Sequence, residues 1–189
     1  MKQSIVLFFV LISGHLFAQK NCEYSTNVKD SIGTYKSTKE YIIYEKNFGG
    51  NKNYIFFSLI LTDGNPTLNL QYIHKSKEFM KANCFDKNSK IFFQLNNGKI
   101  VTLVHNNLMD CGTSVRDNDG FDNRVLSGTF MFLKGSVEDL KSSPINLMRI
   151  KYLTDTEDYI FRKEFTSEMD NNLYQPETYF INYLHCIEN

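Results

Sequence analysis

The chain has no tryptophan, only 3 prolines and no excess of either charge, with 21 basic against 21 acidic side chains in 189 residues. Lysine and arginine are scattered rather than stacked into a stripe, so the electrostatic footprint of a nucleic-acid or anionic-membrane binder is missing. Scarce proline beside 16 phenylalanines and 11 tyrosines excludes a disordered chain. After the N-terminus no apolar run reaches the ~20 residues that a membrane-crossing helix takes. Catalytic signatures are absent as well: there is no G-x-S-x-G, no H-E-x-x-H, no phosphate-binding loop and no dinucleotide fingerprint. Nothing in the sequence asks for a cofactor.

The opening stretch "MKQSIVLFFVLISGHLFAQK" places Lys2 before an apolar run from Ile5 to Ile12, then small and polar residues up to Ala18. This is the pattern of a secretory signal peptide, residues 1–18. Residues 19–189 then form a single β-rich domain, long enough to bury a sizeable core. The implied destination is the periplasm or the extracellular space. Lipid attachment would need a small residue just before the first cysteine, and Cys22 instead follows "AQKN".

Four cysteines, an even number in an exported chain, point to two disulfides. Cys84 and Cys111 stand at equal distances from Asn97-Gly98, the centre of "IFFQLNNGKIVTLVH". Asn-Gly between apolar runs signals a hairpin, and a two-residue type I′ turn there pairs Leu95 with Ile100, Phe93 with Thr102 and Phe92 with Leu103. Both faces of this hairpin then read as apolar, which predicts a central hairpin covered on both sides. The same register sets Cys84 opposite Cys111 at a hydrogen-bonded position and leaves Cys22 with Cys186 by elimination. Zinc is the competing reading, and it lacks both a C-x-x-C and closely spaced histidines.

Other strands are predicted at 39–47, 54–61, 67–74, 124–135, 145–153 and 159–165. In the third of these Leu68, Leu70 and Tyr72 alternate with Thr67, Asn69 and Gln71, so one face is buried. "SVEDLKSS" has Ser136 and Asp139 at capping-box spacing and predicts a short helix over 136–142. After Pro176, the recurrence of Phe180, Tyr183, Leu184 and Ile187 predicts a C-terminal amphipathic helix. The sum is a mostly β (α+β) protein: an antiparallel, β-sandwich-like domain made of two sheets or one curved sheet.

Candidate chemistry is thin. Asp117, Asp119 and Asp122 make "SVRDNDGFDNR" the most acidic loop, but as a calcium loop it would carry Val115 and Leu126 where essential ligands belong. His74 and His105, with Asp110, could share a metal or acid–base site if their strands were neighbours. Tyr24, Tyr35, Tyr41, Tyr44 and Tyr174 could form a recognition surface, against the plainer reading of ordinary strand composition.

The signal ending "LFAQ" resembles exported proteins of the Bacteroidota. The stretch "LKSSPINLMRIKYLTDTEDYI", followed by a last helix with a cysteine near its end, is similar to uncharacterised small secreted proteins of that phylum. The resemblance implies export and a β fold, and transfers no site residue. Three readings follow: a non-enzymatic module binding a protein or a surface glycan; a secreted hydrolase with an acidic or histidine site; and an envelope inhibitor or immunity-type protein. Peptide mapping of the exported protein without reduction is expected to find Gln19 as the first residue and both cysteine pairs linked.

Overall fold

A computed structural model of the protein describes residues 20–106 and 109–188, so residues 1–18, expected to be a signal peptide, lie outside the described residues. Eleven strands form one antiparallel sheet: β1 (Tyr24–Lys29), β2 (Thr34–Thr38), β3 (Tyr41–Phe48), β4 (Asn51–Thr62), β5 (Asn65–Ser76), β6 (Lys90–Leu95), β7 (Ile100–His105), β8 (Thr113–Arg116), β9 (Asp122–Phe132), β10 (Ile145–Lys151) and β11 (Thr156–Ile160). The order across it is β1-β2-β4-β5-β9-β7-β6-β10-β11, with β3 beside β4 and β8 beside β9. A ribbon of β12 (Phe165–Thr166) and β13 (Leu173–Tyr174) follows β11. Helix α1 (Ser136–Ser142) joins β9 to β10, and helix α2 (Tyr179–Tyr183), flanked by 3₁₀ turns at Pro176–Thr178 and Leu184–Ile187, ends the fold. The mostly β class and both expected helices are present.

The sandwich-like arrangement comes from one sheet folded over on itself. Four ladders separate β4 from β6, which in a flat sheet would hold them about 19 Å apart. Yet the Phe57 and Phe93 rings meet edge-on, their centroids 6.0 Å apart. The two edges approach as well, Tyr44 of β3 meeting Tyr159 of β11 at 5.0 Å. Phe180 of α2 fills one end of the curl between Phe57, Phe93 and Phe132. The expected helical stripe is buried there, with Phe180, Leu184 and Ile187 all in the main core.

Hairpin turns decide the registers. Type I′ geometry, positive φ at both central residues, occurs at Gly49-Gly50 between β3 and β4 and at Asp63-Gly64 between β4 and β5. It does not occur at Asn97-Gly98, where only Gly98 has positive φ. There the Gly98 N–H donates to Leu95 C=O at 3.0 Å and the Leu95 N–H to Lys99 C=O at 2.9 Å, a three-residue loop with glycine at its left-handed position. The register therefore shifts by one from the expected pairing: Ile91 faces Leu103 and Phe93 faces Val101. This shift gathers the apolar side chains on one face, so the hairpin is central in the sheet but covered on one side only; Phe92, Thr102 and Val104 are half-exposed.

The disulfide at the hairpin's base forms nonetheless. An extra residue on the return side restores the spacing, and Phe85 and Asp110 exchange both backbone hydrogen bonds, at 2.8 and 3.0 Å. Cys84–Cys111 flanks that pair at a site that is not hydrogen-bonded, with Cα atoms 4.0 Å apart, the reverse of the expected phase. Phe85 then lies flat over β9, where a Cβ on Gly128 would stand 2.7 Å from the ring; only glycine fits.

Two further expectations are corrected. Helix α1 starts one residue too early for the expected capping box: the Asp139 N–H donates to Gly135 C=O, so the N-cap is Gly135, which has no side chain, and the Asp139 carboxylate accepts from Lys99 Nζ at 2.5 Å. The predicted strand at 159–165 begins earlier, at Thr156, since the turn closes sooner through the Tyr152 N–H to Asp155 C=O bond.

Burial raises the pKa of Tyr72, Tyr152 and Tyr159 far above the ordinary phenol value. Below about pH 10 these groups are neutral folded or unfolded. Above it the unfolded chain loses its phenol protons first, so their contribution to stability declines as pH rises. Thermal midpoints followed with tyrosinate absorbance are expected to fall steeply above about pH 10, with the buried phenols ionising only on unfolding.

Candidate functional site

Four tyrosines converge beside α2. The chain turns from β2 into β3 through Lys39 and Glu40, which presents Tyr41 at the start of β3. The N-terminal segment is drawn against this corner by the Lys39 N–H to Glu23 C=O bond at 2.9 Å and by the Lys39–Glu23 ion pair at 2.9 Å. The third wall is Asn172–Tyr174 with Tyr179 and Tyr183 of α2. Together they enclose a cleft of about 490 Å³ whose mouth also carries Asn21.

Tyr41 is the hub of the ring cluster. Tyr174 meets it edge-on at 4.9 Å, and Tyr179 and Tyr183 lie tilted against it at 5.2 and 5.3 Å. Its hydroxyl accepts from the Gln175 N–H at 2.7 Å, which fixes the ring. The Tyr174 hydroxyl donates to Asp170 at 2.6 Å. The Tyr179 hydroxyl is buried beneath the cleft, next to the Thr38 hydroxyl, which accepts from the Leu59 N–H at 2.9 Å. Burial pushes Tyr183 up to about 12 and raises Tyr41, Tyr174 and Tyr179 as well. All four rings stay neutral at physiological pH, and the cleft is lined by aromatic side chains with polar groups around them.

The Cys22–Cys186 disulfide, with Cα atoms 5.6 Å apart, pins the N-terminal wall to the end of the fold. The Tyr24 hydroxyl reinforces it by donating to the Cys186 carbonyl at 2.9 Å. His185 completes the single three-ligand group among the described residues, but both its cysteines are bound to each other, which removes the zinc reading at this place.

The remaining sequence candidates disperse. Asp117 holds its own loop, accepting from the Asp119 and Phe121 N–H groups, and pairs with Lys75 at 2.5 Å; these contacts keep its carboxyl well below the usual range. Asp122 is gripped by Arg116 through two bonds of 2.9 Å, and Asp119 lies in the turn without joining them. His74 and His105 are not neighbours, since β9 separates their strands, and His105 packs between Phe85 and Phe130. Of the five flagged tyrosines, Tyr41 and Tyr174 line the cleft, Tyr24 braces it, Tyr44 turns into the core and Tyr35 lies on the outer face. Sequence reasoning does not reach Tyr179 and Tyr183 as site residues: helical spacing marks Tyr183 as core, and Tyr179 falls outside that stripe.

The fold and site thus define a disulfide-closed β domain with an aromatic cleft at the seam of its curled sheet. Compared with known proteins, the chain matches no family, no curated sequence and no solved structure.

In the chain-entropy account, closing a loop as long as that between Cys22 and Cys186 stabilises by about 5 kcal/mol, against about 3.6 kcal/mol for the shorter Cys84–Cys111 loop. Urea denaturation is expected to rank the native protein first, Cys84→Ala/Cys111→Ala second and Cys22→Ser/Cys186→Ser last.

Proposed function

We propose that the protein is an exported, non-enzymatic binding module that acts in the periplasm or outside the cell and takes a glycan in its tyrosine cleft. The observation that carries this reading is the cluster of Tyr41, Tyr174, Tyr179 and Tyr183, four neutral rings around one cavity. Sugar rings present C–H faces that stack on aromatic planes and hydroxyls that need donors and acceptors at the rim. Asn21, Asn172, Glu40 and the Lys39–Glu23 pair supply both kinds of group. Two disulfides fit export, and no helix among the described residues is long and apolar enough to cross a membrane.

A protein partner is the second reading, and the outer face of the sheet favours it. The row Thr26, Ser37, Ile60, Thr67, Met131 and Val104 crosses six strands without a charge. Uncharged surface of this kind suits the centre of an interface better than its rim.

Titration calorimetry against soluble oligosaccharides separates the two. Under the glycan reading Tyr174→Ala lowers affinity at least tenfold, about 1.4 kcal/mol, while Tyr35→Ala on the outer face leaves it unchanged. Absence of saccharide binding, or equal affinity in Tyr174→Ala, would refute it.

A further inference from the structure

The inner face of the sheet changes character along its strands. Away from α2, β5 runs through Leu68, Leu70 and Tyr72 to His74, and β9 runs from Phe130 through Leu126 to Arg124. His74 stands directly opposite Arg124 and Tyr72 opposite Leu126. On β11, two residues from the buried Tyr159 on the same face, is Glu157. These side chains line a pocket of about 260 Å³ at the open end of the curl, distinct from the tyrosine cleft. The mouth of a closed or nearly closed β sheet is a common place for a ligand.

The charges in this pocket are unevenly satisfied. Asp155 accepts from Lys81 at 2.6 Å. Glu157 is held by the Tyr159 hydroxyl at 2.5 Å on one oxygen and by the Asn83 amide at 3.1 Å on the other. A carboxylate offers about four lone-pair positions, so Glu157 can accept further donors. Arg124 donates from Nη1 to the Cys111 carbonyl at 2.8 Å, while its Nε is buried without a partner. Among the described residues no carboxylate lies within ion-pair distance of it. Nε is closed off from the pocket, but the Nη groups, which make only the Cys111 bond, keep donors for a carboxylate.

The geometry points to this pocket as a binding site for a small zwitterion, a free α-amino acid, whose carboxylate pairs with Arg124 and whose ammonium is received by Glu157. Tyr72 and Leu126 supply the apolar wall for its carbon skeleton. The volume falls below the ~300–1,000 Å³ of sites for drug-sized molecules, which restricts the ligand to a few carbons. His74, with a pKa lowered by burial, is neutral at pH 7 and adds no second cation beside Arg124.

The test is thermal unfolding and calorimetry of the disulfide-intact protein with glycine, L-alanine and L-serine, beside acetate and ethylamine as half-ligands. A zwitterion near a hundredfold excess over its Kd is expected to raise the midpoint by about 5–10 °C, with each half-ligand binding at least tenfold more weakly. Arg124→Gln and Glu157→Gln should each lower the affinity for L-alanine at least tenfold. If either variant fails to fold, the comparison of L-alanine with acetate and ethylamine on the native protein decides alone. No response to any of the three amino acids overturns the assignment, as does acetate binding as tightly as L-alanine, which would mark a simple anion site.

Discussion

Everything in this fold depends on covering one apolar sheet face with little besides the sheet itself. Helices α1 and α2 are short, and neither spans the eleven strands whose inner side chains include Phe57, Phe93, Phe130 and Ile150. Burial of such a face is the dominant favourable term in folding, and the geometry that achieves it here is a curl that brings β4 against β6. The right-handed twist of sheets makes such coiling accessible, and bulges increase it locally. One irregularity lies between Ile42 and Tyr44, so that consecutive Ile42 and Ile43 are both buried, one in the small outer cluster and one in the main core. The ribbon of β12 and β13 covers the outer cluster through Phe165 and Tyr174.

A curled sheet has a seam and two ends, and both cavities described above belong to them. At one end α2 is inserted and the N- and C-terminal segments meet, leaving the tyrosine cleft beside the closure. At the other end no helix is inserted, and the inner side chains become polar, from Tyr72 to His74 and from Leu126 to Arg124. The buried hydroxyls of Tyr152 and Tyr159, 3.1 Å apart, stand where the apolar interior gives way to the charged mouth. Their network is satisfied through Glu157, as a polar group in a low-dielectric interior requires.

Much of the architecture is legible in the sequence where one physical signal acts alone. The alternation of Leu68, Leu70 and Tyr72 marks a one-faced strand, the spacing of Phe180, Leu184 and Ile187 marks a docked helix, and cysteine parity marks two disulfides. Signals that compete are misread. Asn97-Gly98 suits a type I′ turn by composition, but matching Ile91 and Phe93 with Leu103 and Val101 favours a register one residue shorter, and burial of that face wins. Strands β1 and β2 left no periodic trace because β1 is largely exposed and takes its conformation from its neighbour. The two cavities were beyond reach for a different reason. Tyr41 and Tyr183, or Arg124 and Glu157, are distant in the chain and become neighbours only through strand order and register.

The Cys22–Cys186 bond joins residues 164 positions apart, so nearly the whole described chain is a covalent ring, inside which Cys84–Cys111 closes a smaller one. A ring has no ends from which to unravel. Exopeptidases are stopped at the ring, and a force pulling on the chain from either side of it is borne by the sulfur bridge before any strand inside. A single endoproteolytic cut in a connecting loop opens the ring yet leaves every segment tethered, giving in effect a rearranged linear order of the same strands. That topology limits unravelling independently of how tightly the core is packed.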